Sequence, residues 1–281
     1  MTTVFISGLG LIGSSIARII KQTDQTVTIT GFDPNPINGN FLEEAGVIDQ
    51  TLDFKAGAEM ADIIFLAAPV EQIKDQIQQL TTLPLKTGVI VTDAGSTKRD
   101  VIEASHDLPD TVHFIGGHPM AGSHKSGAPA GTATLFNNAT YFLVPGVDDQ
   151  TGTTTIQRLL ASAGCHWQIV SPDEHDMIVA ELSHVPHVAA FALANSVANK
   201  LHPIPDVIQA AAGGFKDTTR IAASNPQVWT DILLTNRDQV LDGLKDYQQE
   251  LAKLSQLIED GNEIELTKYL DQAKTIRQEI D

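Results

Sequence analysis

Thr3-Val-Phe-Ile-Ser-Gly-Leu-Gly-Leu-Ile-Gly13 decides the fold of this chain. Thr3 to Ser7 is an apolar run with strand character, and Ser14 to Lys21 continues with helical patterning. Strand, Gly-x-Gly-x-x-Gly turn and helix, in that order, form a dinucleotide-binding fingerprint. Each glycine has a task there. Gly8 makes the bend, Gly10 lets the backbone approach a pyrophosphate, and Gly13 lets the helix pack closely on the strand. The free N–H groups at the helix start, around Leu11 and Ile12, and the positive end of the helix dipole then face the phosphates. A second strand, Val27 to Phe32, ends at Asp33, twenty positions after Gly13. An acid at that point hydrogen-bonds the adenosine ribose and repels a 2′-phosphate. No arginine follows in Pro34-Asn-Pro36 to receive such a phosphate. The expected cofactor is therefore NAD rather than NADP.

Strand and helix signals alternate from there to about residue 170. Ile63 to Ala67 reads as a buried strand ended by Pro69, and Val70 to Leu80 as an amphipathic helix with proline at its start. Val89 to Thr92 is a further strand, running into Asp93-Ala-Gly-Ser-Thr-Lys98. Val112 to Ile115 is another, followed by a glycine-rich turn that carries His118. Thr140 to Val144 and His166 to Val170 complete the sheet, with Thr153 to Ala163 helical between them. The pattern predicts an α/β fold: a doubly wound Rossmann-type domain over residues 1–170, with ligands at the carboxyl ends of its strands. The Gly10 turn, Pro69, Ser96 and His118 all follow strands and are expected to share one crevice.

From Ser171 the strand signals stop. Ser171-Pro-Asp-Glu174 has an N-cap residue, proline at the first helical position and acids in the first turn. A long helical pattern follows to about Asn199, broken by Pro186, and residues 215–223, 226–258 and 263–279 also read as helical. The second domain, residues 171–281, is expected to be all-α, and its apolar-faced helices predict a homodimer.

A chain of 281 residues that is 42% hydrophobic is long enough for two domains with a substantial core. A net charge of −17 argues against a nucleic-acid surface and against an anionic membrane. It does not forbid an anionic substrate, because a local arginine can invert the field in a cleft. Residues 4 to 20 are rather apolar, but no basic segment precedes them and no apolar run of ~20 residues is evident, so neither a leader nor a membrane anchor is expected. The single cysteine, Cys165, excludes an internal disulfide and fits a cytoplasmic protein. It reads as a buried strand start without a catalytic role.

Gly116-Gly-His-Pro-Met-Ala-Gly-Ser-His-Lys-Ser-Gly127 carries the chemistry. Pro119 restricts His118 to extended geometry, and the flanking glycines permit close approach of backbone or ligand. A histidine held this way suits proton transfer near neutral pH. Glu181-x-x-His184-x-x-His187 has a spacing that suggests a metal site. Pro186 disturbs the helix such spacing needs, and no further ligand is clustered nearby, so no metal is expected. His184 reads instead as a satisfied core or interdomain histidine. His106, His113, His166, His175 and His202 belong to no motif.

With Gly8–Gly13, Asp93–Lys98, Gly117–Gly127 and Ser183-His-Val-Pro-His-Val-Ala-Ala-Phe191 in this order, the chain resembles the prephenate dehydrogenases of tyrosine biosynthesis. Gly213-Gly-Phe-Lys-Asp-Thr-Thr-Arg-Ile221, with Trp229 beyond it, strengthens the match. The resemblance implies oxidative decarboxylation of prephenate by NAD, giving 4-hydroxyphenylpyruvate, carbon dioxide and NADH. It implies that His118 takes the proton of the ring hydroxyl and that Ser96 positions this histidine and the hydroxyl. It assigns a substrate carboxylate to Arg220, and places His187, Asp217 and Trp229 in the same pocket. A guanidinium suits a dianionic substrate well. The chain departs from the family at His124, a substrate-site position where many relatives carry an acid. Without that anion to hold an ammonium group, prephenate is expected to be favoured over arogenate. Neither a fused chorismate mutase nor an ACT regulatory domain is expected, so any feedback by tyrosine would act at the active site. Arogenate dehydrogenase is the nearest alternative. A β-hydroxyacid dehydrogenase would leave His118 without a role, and a non-catalytic NAD sensor would not need His118, Ser96 and Arg220 together.

Overall fold

The computed structural model describes residues 2–123, 125–146, 149–202, 204 and 207–279. Its first half alternates β1 (Thr3–Ser7), α1 (Leu11–Thr23), β2 (Thr28–Phe32), α2 (Pro36–Glu44), β3 (Gln50–Thr51), α3 (Phe54–Met60), β4 (Ile63–Leu66), α4 (Val70–Leu80), β5 (Ile90–Asp93), α5 (Arg99–Ser105), β6 (His113–Pro119), β7 (Thr140–Pro145), α6 (Gln150–Leu159) and β8 (His166–Ile169). The strands form one sheet in the order β3-β2-β1-β4-β5-β6-β7-β8. All neighbours are parallel except β6 and β7, which run antiparallel. The strand order reverses direction between β1 and β4, and ligands of such sheets bind at that switch point.

Successive strand residues point to opposite faces. Val4 and Ile6 of β1 therefore join one core with Ile16 and Ile20 of α1. Phe5 joins the other, with Ile64 of β4, Val91 of β5 and Ile73 and Ile77 of α4. A sheet covered on both faces explains why its strands read as continuous apolar runs rather than alternating ones. The elements α2, β3, α3 and α5 escaped the sequence pattern. They are short, and capping side chains start two of them: Asn35 bonds the Ile37 N–H, and Asp53 bonds the Ala56 N–H.

Two expectations are corrected in the sheet. His118 lies within β6, not in a turn after it. The antiparallel partner β7 pairs with β6 through to Pro119↔Tyr141, so the glycines continue the strand. Glycine is required at 117 for packing, since a Cβ there would sit 2.5 Å from the Asp93 carbonyl oxygen. Cys165 is only half-buried, because β8 is the exposed edge of the sheet and pairs with β7 alone.

The second half has no strand among its described residues, and its α-helices are α7 (Pro172–Val179), α8 (Val185–Leu201), α9 (Gly213–Thr219), α10 (Pro226–Thr235), α11 (Arg237–Glu259) and α12 (Glu263–Gln278). Ser171 and Glu174 form a reciprocal capping box at the start of α7. The break expected at Pro186 is corrected: the helix runs on through it. The path is continuous from Pro172 to Leu201, and the irregularity is a π turn at Ala180–His184, where the Val185 N–H reaches back to the Ala180 carbonyl. Pro186 sits just beyond that turn, at the start of α8, where its missing N–H is tolerated. This 30-residue stretch is also long and apolar enough to cross a bilayer. The sequence reading missed that property. The same stretch supplies His175, Asp176, His184 and His187 to polar and ring contacts at the domain junction.

Candidate active site at the domain junction

The glycine turn leaves β1 at its carboxyl end. Gly8 has φ +93°, a left-handed conformation that L side chains rarely adopt, and its N–H bonds the Phe32 carbonyl at 2.8 Å. A Cβ on Gly13 would fall 1.8 Å from the Gly8 carbonyl oxygen, so this glycine is what lets α1 lie against the turn. A Cβ on Gly10 would meet nothing within 4 Å. Gly10 caps α1 without any side-chain hydrogen bond, which leaves the first-turn N–H groups of Leu11 and Ile12 uncapped by a side chain. Asp33, beyond β2, accepts the Leu9 N–H at 2.7 Å and the Asn35 N–H at 2.9 Å. That carboxylate ties down the turn from the end of β2, where the sequence pattern expects the ribose. Pro69, the N-cap of α4, follows Ala67 and Ala68, whose backbone closes the other side of Gly8. Open backbone at Gly10, an uncapped helix start and an acid beside them fit a dinucleotide.

Two strands away, one carboxylate organises the chemistry. Asp93 ends β5, is fully buried, and pairs with the equally buried ammonium of Lys98. It also accepts the Gly95 N–H at 2.7 Å and the Gly117 N–H at 3.0 Å. The residues adjoining Ser96 and His118 are thus pinned to a single group, which brings the turn after β5 beside the end of β6.

His118 is 8% exposed, and its Nδ1 lies 2.9 Å from Nε2 of His175. Nδ1 of His175 lies 2.8 Å from Asp176, which also accepts the backbone N–H groups of Lys98 at 2.7 Å and Arg99 at 2.9 Å. His175 and Asp176 were missed by the sequence reading. The signal existed: both lie one helical turn before Val179, so they share its buried face of α7. The junction continues through Asn236, whose amide donates to the Asp176 carbonyl at 2.8 Å and lies 3.2 Å from His184 Nδ1. His184 meets Trp229 edge-on, and Trp229 stacks on His187 with centroids 3.6 Å apart. His187 is fixed by its Nδ1, which donates to the Ser183 carbonyl at 2.8 Å.

Arg220 follows α9 in a 3₁₀ turn that packs on α8, and its charge is felt at His187. Asp217 is exposed one turn before it, and no ion pair links the two among the described residues. His118, His187 and Trp229 are therefore joined through a continuous series of contacts, while Arg220 reaches His187 through its charge and bonds the Asp217 carbonyl through its backbone N–H. His124 lies outside the described residues. Among those residues no group of three or more metal-ligating side chains is arranged around one point.

Burial dominates the electrostatics. It pushes His118 well below the ordinary histidine value, helped by His175, Lys98 and His184. Burial likewise lowers His184, to about 4, and lowers His175 against the opposing pull of Asp176. Asp176 is held below the usual carboxylate range despite its burial, by His175 and the Arg99 and Lys98 N–H groups. The site therefore holds three neutral histidines at pH 7 beside an ionised acid.

These shifts have a stability consequence. A histidine with a depressed folded pKa binds a proton more readily in the unfolded chain. Its contribution is complete above about pH 6.5 and is lost as pH falls toward the folded value, about 4 for His184. That histidine alone accounts for about 3 kcal/mol at ~1.4 kcal/mol per pKa unit. Urea unfolding is expected to show a clearly lower midpoint at pH 4.5 than at pH 7.5. Equal midpoints would contradict buried neutral histidines.

A glycine turn and uncapped helix start at the switch point of a doubly wound sheet, a buried histidine at the end of β6 and a helical half packed against that histidine match the arrangement of a two-domain dinucleotide-dependent oxidoreductase. The model of the prephenate dehydrogenase nucleotide-binding domain matches residues 16–169, and that of the prephenate dehydrogenase dimerization domain matches residues 171–272. A prephenate dehydrogenase from Bacillus subtilis is 38% identical over 278 residues, covering 98% of this chain and 75% of that protein. The crystal structure of prephenate dehydrogenase from A. aeolicus in complex with hydroxyphenyl propionate and NAD+ superimposes with a TM-score of 0.93 at 33% identity, covering 100% of this chain and 99% of that one. An arogenate dehydrogenase structure from Synechocystis gives a TM-score of 0.82 at 28% identity, with complete coverage of both chains. The chain belongs to the prephenate dehydrogenase family.

Proposed function

We propose that this chain oxidises prephenate with NAD to 4-hydroxyphenylpyruvate and carbon dioxide, in tyrosine biosynthesis. The observation that carries this reading is His118: a buried, neutral imidazole held by Nδ1, at the carboxyl end of the sheet that bears the nucleotide cradle. Bound NAD supplies a hydride acceptor. His118 Nε2 takes the proton of the C4 hydroxyl as C4 loses hydride. Loss of the ring carboxylate as carbon dioxide returns an electron pair to the ring, and His118 gives its proton back to the same oxygen, now phenolic. The overall reaction thus releases no net proton, and no metal or covalent nucleophile is required of the protein. Ser96, in the turn after β5, positions the hydroxyl for His118, whose own ring is held by His175. Arg220 and His187 receive the side-chain carboxylate, and Trp229 fixes His187 by stacking. Asp217 and His124 complete the substrate site.

Residues 1–170 form the nucleotide domain and 171–281 the substrate and dimerisation domain. The exposed apolar residues Leu182, Leu234, Leu241 and Ile258 on its helices support a homodimer, as does the match to a dimerization-domain model. A cytoplasmic enzyme with no nucleic-acid or membrane partner fits the acidic composition and lone cysteine.

The test is NADH absorbance with prephenate and with arogenate, each with NAD and with NADP. Prephenate with NAD is expected to be turned over at least about tenfold faster than either change allows, equivalent to ~1.4 kcal/mol of discrimination. Comparable rates with arogenate would overturn the part given to His124. No activity with any pair, despite NAD binding, would overturn the reaction.

A further inference from the structure

We propose that His175 and Asp176, presented by the helical domain, form a positioning relay that fixes the tautomer of His118 and carries part of its charge while it holds the substrate proton. This rests on the reading of His118 as the base and deepens it. The argument is one of hydrogen-bond direction. Asp176 receives three donors: the Lys98 N–H and His175 Nδ1 at one carboxylate oxygen, and the Arg99 N–H at the other. An ionised carboxylate accepts only, so His175 must donate from Nδ1. A neutral His175 then presents a lone pair at Nε2, and His118 must donate to it from Nδ1. That leaves the lone pair of His118 on Nε2, which has no protein partner among the described residues and is the atom that must take the substrate proton.

The opposite tautomer would set His175 Nδ1 as an acceptor 2.8 Å from a carboxylate, two acceptors face to face. When His118 takes the proton, its Nδ1 proton can stay or shift toward His175 Nε2, bringing the positive charge nearer Asp176. The proton returns by the same path to the phenolic oxygen, so atoms and charge balance within the site. The other charged or titratable groups facing the pair are Asp93 at the end of β5, Lys98 at the start of α5 and His184 from the π turn; Phe142 of β7 meets His175 edge-on. Since α7 and its Asp176 belong to the helical half, the base is configured only where the two halves meet.

Two measurements test this. In the wild-type chain labelled with ¹⁵N-histidine, long-range ¹H–¹⁵N spectra, assigned with single histidine variants, are expected to show His118 and His175 neutral and protonated on Nδ1. A proton on Nε2 of His118 would overturn the relay without any reference to activity. In kinetics, Asp176→Asn is expected to lower kcat roughly 10²-fold or more, since the amide favours the wrong tautomer, with little change in the KM for prephenate. Its acidic limb in kcat/KM should move to lower pH as the anion is lost. His175→Gln keeps an acceptor for His118 but no path to Asp176, and should show a smaller loss with the same shift of the limb. If His118→Asn is inactive while Asp176→Asn and His175→Gln keep the wild-type kcat and pH profile, the relay fails and the base reading stands. If His118→Asn remains active, the base reading fails.

Discussion

His118→Asn is expected to abolish NADH formation from prephenate while leaving NAD binding intact. A positioned general base contributes about 10² to 10⁴ in rate. Here the residual rate should lie at the low end of what the cradle and carboxylate contacts alone sustain, because no other group is placed to substitute. Lys98 is already paired with Asp93, His175 is occupied at both nitrogens, and His184 is turned to Asn236. Asparagine offers an amide where Nδ1 stood, so the contact to His175 survives and the strand pairing with β7 is untouched. NAD affinity by fluorescence titration and NADH production by absorbance separate the two effects. A variant retaining more than about a tenth of the wild-type kcat would exclude His118 as the base, given the size of the effect expected of one.

Gly8→Ala should have the largest effect on cofactor binding. Two penalties coincide there. The residue has φ +93°, and the new Cβ would stand 2.3 Å from the Ala67 carbonyl oxygen and 2.7 Å from the Ala67 carbonyl carbon. Neither atom is a flexible side chain. β1 and β4 are adjacent central strands paired to Ser7↔Leu66, and the Gly8 N–H holds the turn to Phe32 on the other side. The turn cannot relax without opening the sheet where the pyrophosphate is received. A loss of roughly 2–5 kcal/mol in stability is expected from strain and overpacking together, along with a fall of about 10²-fold or more in NAD affinity. Gly88→Ala is the control. Gly88 also has a left-handed φ, +79°, but open space around it. It should lose about 1 kcal/mol and leave NAD affinity unchanged. If the two variants behave alike, the close approach at Gly8 has no special role.

Much of the nucleotide half was legible because its signals are local. A strand, a glycine turn and a helix are neighbours in sequence, and the requirement for glycine comes from backbone geometry within a few residues. The start of α7 was legible for the same reason, as its N-cap, proline and capping acid lie within four positions. The extension of β6 through Gly116 and Gly117 was not. It depends on β7, more than twenty residues away, to continue the pairing past two residues of poor strand propensity. Pro186 misled for a related reason: proline disfavours a helix interior, but a π turn before it moves the residue to a helix start.

The sequence by itself determined the architecture and singled out the glycine turn, Asp33 and His118 as the residues proposed to hold the dinucleotide and carry the chemistry. Each of these rests on residue types at short fixed spacings. Only the tertiary structure brought together the groups proposed to make His118 a usable base. His175 and Asp176 belong to no motif and lie 57 and 58 positions away. Their effect depends on which nitrogen faces which oxygen across a closed domain junction. Hydrogen-bond direction and desolvation exist only once burial has brought those groups together, so the pairing of base and relay could be read only in the folded molecule.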